Sequence, residues 1–491
     1  MPSNCRATVG GAHPTVLWML DARCWMLDNG NYQQNSSILP EKPMNDTIGR
    51  VRQFTICILQ FAICHFLIGQ HVQAEDVSTP RTWFAQNADS LIEFYKHLHQ
   101  APELSQQEKE TAKRMADELQ ALGIKVTTGV GGHGVVGVLE NGEGKVLMLR
   151  ADMDALPVAE QTGLPYASKV RTRDARGATV GVMHACGHDL HMTNLIGVAR
   201  YLAHHRDRWA GTIIFLFQPA EELGAGAEAM LNDGLLARFP RPDFAVALHV
   251  SSDVPTGQIQ CRAGYALANV DSVDIVVKGR GGHGASPETT IDPIVIAARL
   301  VLDLQTIVGR EVKPIDPAVV TVGSIHGGTK HNIIPAECRL QLTLRSLTPE
   351  IRQQLQDAVR RKALAAAASA GAPEPSIEVT EGTPAMYNDP QLTERVTATL
   401  RRALGEKNVV EGEPAMGGED FGRYGLAGVP ICMFRLGAVN QKRLDEYAAL
   451  KVPPVSLHSP VFYPDIKESL AVSVPAMASV ALDLLPPKPG K

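Results

Sequence analysis

Four short, almost unbroken apolar runs constrain the fold of this 491-residue chain more than any other feature: Val146–Leu149, Ile213–Phe217, Phe244–Val250 and Val429–Phe434. Each is too short to be a helix on its own and lacks the polar alternate positions of a half-exposed strand. Such runs fit strands covered on both faces. Stretches with helical spacing lie before and between them. Residues 88–99 and 106–122 space Leu91, Ile92, Leu98, Met115, Leu119 and Leu122 along helix faces, with Gly123 placed as a C-cap, and 189–205 and 225–237 read the same way. This alternation predicts an α/β domain with a mostly parallel sheet.

The rhythm changes between residues 271 and 382. Val273–Lys278 reads as a strand, Pro293–Val308 as a helix, Val319–Val322 and Cys338–Leu344 as strands, Pro349–Ala368 as a helix and Ser376–Thr380 as a strand. The order βαββαβ is the ferredoxin-like pattern. The expectation is a larger α/β domain in two parts, 80–270 and 383–491, with 271–382 inserted as a small domain of its own.

The leading segment reads differently. Residues 1–43 carry no steady periodicity and are expected to be a mis-called extension, with translation starting at Met44. From there Arg50 and Arg52 precede the apolar stretch Phe54–Ile68, and Val72-Gln73-Ala74 offers small residues before Glu75. Residues 44–74 thus read as a secretory signal peptide, too short for an ordinary span, with an uncleaved anchor as the alternative. The expected location is secreted or periplasmic, with no stable membrane insertion after cleavage. Cys5, Cys24, Cys57 and Cys64 fall in this part. Cys186, Cys261, Cys338 and Cys432 are too scattered for a disulfide scaffold. A net charge of −5 gives no basic footprint for nucleic acid.

The residues that carry chemistry cluster after predicted strands, where open α/β sheets place their ligands. Arg150-Ala-Asp152-Met-Asp154 follows the first run. It reads as a charged turn or as a site. His184-Ala-Cys186-Gly-His188-Asp189-Leu-His191 gathers imidazoles, a thiol and a carboxylate, the donor types of zinc sites. Gly187 lets the backbone bend between Cys186 and His188. Asp189 can cap the next helix, and His184 and His191 can be core or supporting residues. Gln218-Pro-Ala-Glu221-Glu222 follows the second run, either as a charged helix start or as a metal ligand beside a free base. His249, His283 and His458 stand apart in sequence.

Taken together, the segments RADMDALP, GVMHACGHDLH, FLFQPAEE, LHV, GGHGASPETTIDPI, HNIIPAECRLQLTLRS, MGGEDFG and LHSP make the chain resemble the amidohydrolase branch of the dimetal aminoacylase and carboxypeptidase superfamily. Hippurate hydrolases, N-acyl-amino-acid amidohydrolases and auxin-conjugate hydrolases belong to that branch. The resemblance runs from about Ala85 to the C-terminus. It implies that 80–270 and 383–491 form a catalytic dimetal hydrolase domain of α/β class, mostly parallel in its sheet, and that the inserted ferredoxin-like domain 271–382 serves as lid and dimerisation domain. It also implies that Cys186, His188, Glu222, His249 and His458 bind two divalent metal ions, zinc or manganese. Glu221 would be the general base acting on a metal-bound water, Asp152 would orient a ligand or the base, and His283 would reach the scissile carbonyl, often from the partner in a homodimer. Asn332 and Arg345 would touch substrate. Other branches carry histidine at the position of Arg150. Arginine stays protonated and cannot be a ligand, so Cys186 would supply the missing donor.

The implied substrate is a small N-acyl amino acid or dipeptide, with dipeptidase or carboxypeptidase activity as the alternative within the same chemistry. Two other readings stay open at this stage. Cys186 acts as a nucleophile with a histidine base, or the chain binds ligand without catalysis.

Overall fold

The structure is a computed structural model, and it describes residues 79–487. The expectations for residues 1–43 and 44–74, including the four leading cysteines, lie outside the described residues.

The main sheet has eight strands. Its spatial order is Lys125–Val130, Gly134–Asn141, Gly211–Gln218, Val146–Asp152, Phe244–Pro255, Ile431–Val439, Ile259–Cys261 and Val409–Glu411. The four in the middle, from Gly211–Gln218 to Ile431–Val439, are mutually parallel, and they contain the four apolar runs. The last run begins as a strand at Ile431 rather than at Val429, as Pro430 has no N–H for a ladder. The flanking strands on one side are antiparallel, which makes the sheet mixed.

Both faces are covered. Helices Pro80–Gln100, His188–His204 and Ile466–Leu484 pack on one face and bury Leu91, Tyr95, Leu195 and Met477 against Leu147, Leu149 and Phe215. The opposite face holds Met148, Ile214, Leu216 and Tyr424. Thr79 caps the first helix by accepting from Thr82 N–H, and Pro80 sits where its missing N–H costs nothing. Two helices differ from expectation. Gln106 has φ +66, so the second helix starts at Lys109, with the Glu103 carboxylate accepting from Glu110 and Thr111 N–H. The stretch 225–237 divides into Gly226–Asn232 and Leu235–Arg238 at Gly234, φ +83.

A second, four-stranded antiparallel sheet orders Ala318–Gly327, Glu337–Ser346, Asn269–Lys278 and Ser376–Glu381. Helices Pro293–Thr306 and Pro349–Ser369 cover one face and bury Leu300, Leu304, Leu355 and Val359 over Ile275, Leu340 and Leu342. This is the ferredoxin-like arrangement, and the fold class is the one expected. Cys261, Cys338 and Cys432 are buried among apolar residues. Among the described residues no helix is long and apolar enough to cross a membrane.

Candidate metal centre

Three parallel neighbours deliver donors to one edge of the main sheet. Val146–Asp152 ends on Asp152, Gly211–Gln218 runs into Glu221 and Glu222, and Phe244–Pro255 carries His249. The helix His188–His204 begins beside them after Gly187, which has φ +80. A Cβ at Gly187 would lie 2.7 Å from a methyl of Val250, so both conformation and space require glycine there.

The side-chain donors converge. Cys186 Sγ lies 3.5 Å from His249 Nε2. His188 Nε2 lies 3.7 Å from Asp152, 3.8 Å from Glu222 and 3.9 Å from Glu221. Glu222 Oε2 lies 3.5 Å from His458 Nε2. In each of the sets Cys186/His188/His249, Cys186/Glu222/His458 and His188/Glu221/Glu222, one donor atom per residue falls within 4.8 Å of the others.

Hydrogen bonds fix which ring nitrogen faces the centre. His188 Nδ1–H donates to the Asp154 carbonyl and His249 Nδ1–H to the Val250 carbonyl, each at 2.8 Å, which turns both Nε2 atoms to the centre, that of His188 without a partner and that of His249 against Cys186 Sγ. His191 differs. Its Nδ1–H donates to Asp152 at 2.6 Å and its Nε2 accepts from Val250 N–H at 3.0 Å, so both nitrogens are used. It orients Asp152 instead of offering a donor. His458 is more exposed than the others. Its backbone has φ +68, and its N–H donates to the Ala185 carbonyl at 2.9 Å, which ties it beside Cys186.

Negative charge is in excess. Asp152, Glu221, Glu419 and Asp420 surround the buried guanidinium of Arg150, which pairs with Asp152 at 2.7 Å, Glu419 at 2.9 Å and Asp420 at 3.2 Å, while Asp154 and Glu222 lie on the His188 side. Burial, then the charges of Glu419 and Glu222, hold Glu221 well above the usual glutamate range. Burial raises Glu222 to about 7 against the pull of His188. Burial and the two glutamates push the Cys186 thiol well up. Burial disfavours charge on His188, but Asp152 and Asp154 outweigh it and raise its pKa to about 10. These shifts share one cause, anions in a low-dielectric pocket that calls for cations.

The residues fit a two-metal group. His188 Nε2 and Glu222 Oε1 are buried with no hydrogen-bond partner, where buried polar atoms are normally satisfied. Imidazole and thiolate suit zinc, and the carboxylates admit manganese.

A cavity of about 490 Å³ opens beside Cys186, His249 and His458, lined further by Leu267, Met386, Met416, Met433 and Arg345. Arg345 donates to Thr343 Oγ1 and the Met416 carbonyl, and among the described residues no carboxylate pairs with it. A slightly larger cavity of about 550 Å³ lies at Tyr265, Tyr387 and Arg352. Its charged residues are engaged elsewhere, Arg352 with Asp271 and Asp389 as a helix cap.

The structure therefore gathers Asp152, Cys186, His188, Glu221, Glu222, His249 and His458, with Arg345 on the adjoining cavity. It does not bring His283 or Asn332 to that cavity. Both are exposed on the inserted domain, side by side, with Gly284 N–H donating to the Asn332 carbonyl at 2.9 Å. Sequence reasoning assigned no role to Glu419, Asp420 or Glu108. The adjacent carboxylates in MGGEDFG were the available signal for the first two.

Residues 148–452 match the peptidase family M20/M25/M40. The chain is 38% identical over 359 residues to thermostable carboxypeptidase 1 of Saccharolobus solfataricus, a match covering 72% of this chain and 87% of that one. It is 35% identical over 430 residues to IAA-amino acid hydrolase ILR1-like 2 of Arabidopsis thaliana, covering 85% and 92%. Among solved structures it is similar to a dinuclear metal-binding peptidase of the M20 family from Bacillus subtilis, with TM-score 0.67, 32% identity and coverage of 82% and 99%.

Proposed function

The chain belongs to the peptidase family M20/M25/M40 and is a metal-dependent hydrolase of amide bonds, and we propose that its substrates are small N-acyl amino acids. The observation that carries this reading is the placement of Arg345, which pairs with no carboxylate among the described residues, on the cavity that Cys186, His249 and His458 also line. An amino-acid carboxylate pairs bidentately with a guanidinium, and the methionine-lined wall accepts an apolar acyl group.

In this reading Cys186, His188, Glu222, His249 and His458 hold two divalent ions, zinc or manganese. When bound, such ions polarise a carbonyl and acidify water. Glu221, buried but on the centre, takes a proton from the attacking water and returns it to the leaving amine. Asp152, fixed by His191 and Arg150, holds the neighbourhood of His188 in place.

His283 and Asn332 act in this account only across a homodimer. Among the described residues the outer strand Ala318–Gly327 is paired on one side only, and Ile325 on it and Ile294, Val295 and Leu302 on the helix packed beside it are exposed. Bare edges and apolar faces of this kind favour pairing. His283→Ala then lowers kcat while metal content stays, and light scattering gives the dimer mass. An unchanged kcat removes His283 from the reaction. Export follows from residues 44–74, and N-terminal sequencing of the mature protein tests it.

The similarity to a carboxypeptidase favours a second reading, in which peptides are the better substrates. A panel of N-acetyl, N-benzoyl and dipeptide substrates ranks the two by kcat/KM. Arg345→Met should raise KM for every carboxylate-bearing member. A preference for dipeptides selects the second reading, and an unchanged KM removes Arg345 from substrate binding.

A further inference from the structure

The glutamate Glu221 sits in a tight turn whose backbone is unusual. Ala220 has φ +51, a conformation that side chains other than glycine rarely adopt. Its carbonyl accepts from Ala225 and Gly226 N–H, which closes the turn. Its own N–H points inward and donates to Glu108 Oε1 at 2.7 Å. Two residues on, Glu222 N–H donates to Asp154 Oδ2 at 2.9 Å, and that oxygen also accepts from Ser105 at 2.7 Å. The amides on either side of Glu221 are thus both held by buried carboxylates.

The strap that brings Glu108 there is itself anchored. Leu104 forms a bridge with Ala155, whose N–H donates to the Glu103 carbonyl. Glu108 precedes the helix Lys109–Ala121, but its side chain does not cap that helix, a task done by Glu103. It is fully buried, and its second oxygen has no partner. A buried carboxylate is costly, and neither helix capping nor an ion pair explains this one. Its side chain accepts a hydrogen bond from the residue before Glu221.

We propose that Glu108 is a positioning residue for amide hydrolysis: with Asp154 it clamps the Ala220–Glu222 turn and so aims Glu221 at the reacting water. The inference rests on Glu221 as the proton-moving group. Misplacement of a reacting group by about 1 Å can cost on the order of a hundredfold in rate.

Two substitutions separate reach from charge. Glu108→Gln keeps an oxygen facing Ala220 N–H and gives up the charge. Glu108→Asp keeps the charge and withdraws it by one methylene. The holoenzyme variants are compared with wild type and Glu221→Gln for kcat, KM, metal content and Tm on an N-acyl amino acid. The expected result is near wild-type kcat for Glu108→Gln. Glu108→Asp should lose about ten- to a hundredfold in kcat, with KM and bound metal unchanged. Full activity in Glu108→Asp, or a loss confined to Glu108→Gln, overturns the clamp. Should Glu108→Asp not fold, loss of kcat in the folded Glu108→Gln variant overturns it just as well. Activity in Glu221→Gln instead defeats the assignment of the base, whatever Glu108 does.

Discussion

His188 Nε2 lies 3.8 Å from Glu222 Oε1, and neither buried atom has a hydrogen-bond partner. Two facing, unsatisfied donors mark a place for a cation. Glu221 stands next to this pair, 3.9 Å from His188 Nε2, and the proposed reading gives it a different task. Glu221→Gln should keep bound metal and lose about 10²- to 10⁴-fold in kcat. Glu222→Gln should lose metal. Elemental analysis beside steady-state kinetics checks both, and metal loss in the Glu221 variant would make it a ligand instead of a base.

Gly187 sets the angle between Cys186 and His188. Alanine there meets Val250 and the wrong side of φ at once. Gly187→Ala should therefore weaken metal retention even though no donor is removed. Equilibrium dialysis against a competing chelator measures it, and wild-type retention would count against the required bend.

Arg150 pairs with three buried carboxylates, Asp152, Glu419 and Asp420. Removing one partner from a buried ion cluster typically costs about 3–5 kcal/mol because the remaining charges are left unpaired. Arg150→Met should lower the unfolding free energy by an amount in that range, measured by urea titration. A loss below about 1 kcal/mol would mean that the cluster is solvated.

How much of this was legible in the sequence follows from how far apart the interacting residues are. Cys186 and His188, or Glu221 and Glu222, sit within one short segment after a strand, and their chemistry shows at once. The buried strands were visible as apolar runs, whereas Lys125–Val130 and Gly134–Asn141 were not: the first is largely exposed, and glycines break up the apolar run of the second although most of it is buried. Arg150 meets Glu419 only through the fold, and nothing local tells which distant carboxylate faces a buried guanidinium. Glu108 looks like an ordinary acidic helix start. The left-handed Gln106, which delays that helix, has no signature in residue type.

His99 is buried between Asp189, 2.7 Å from Nδ1, and Glu160, 3.1 Å from Nε2. Burial opposes its charge, but the two carboxylates outweigh that and raise its pKa from 6.5 to about 10. A raised folded-state pKa stabilises fully below the unfolded value near 6.5 and loses that contribution as pH rises through about 10. The Tm gap between wild type and His99→Gln should be widest near pH 6 and shrink steadily towards pH 10. Thermal scans across that window test the sign, and a gap that widens with pH would contradict it.

The central claim is that this fold hydrolyses amides through metal held at Cys186, His188, Glu222, His249 and His458. The most direct measurement is release of free amino acid from N-acetyl and N-benzoyl substrates before chelation, after it, and after zinc or manganese is returned. The account predicts activity that disappears with the metal and comes back with it. Turnover that survives complete metal removal would contradict the account and bring Cys186 forward as a nucleophile.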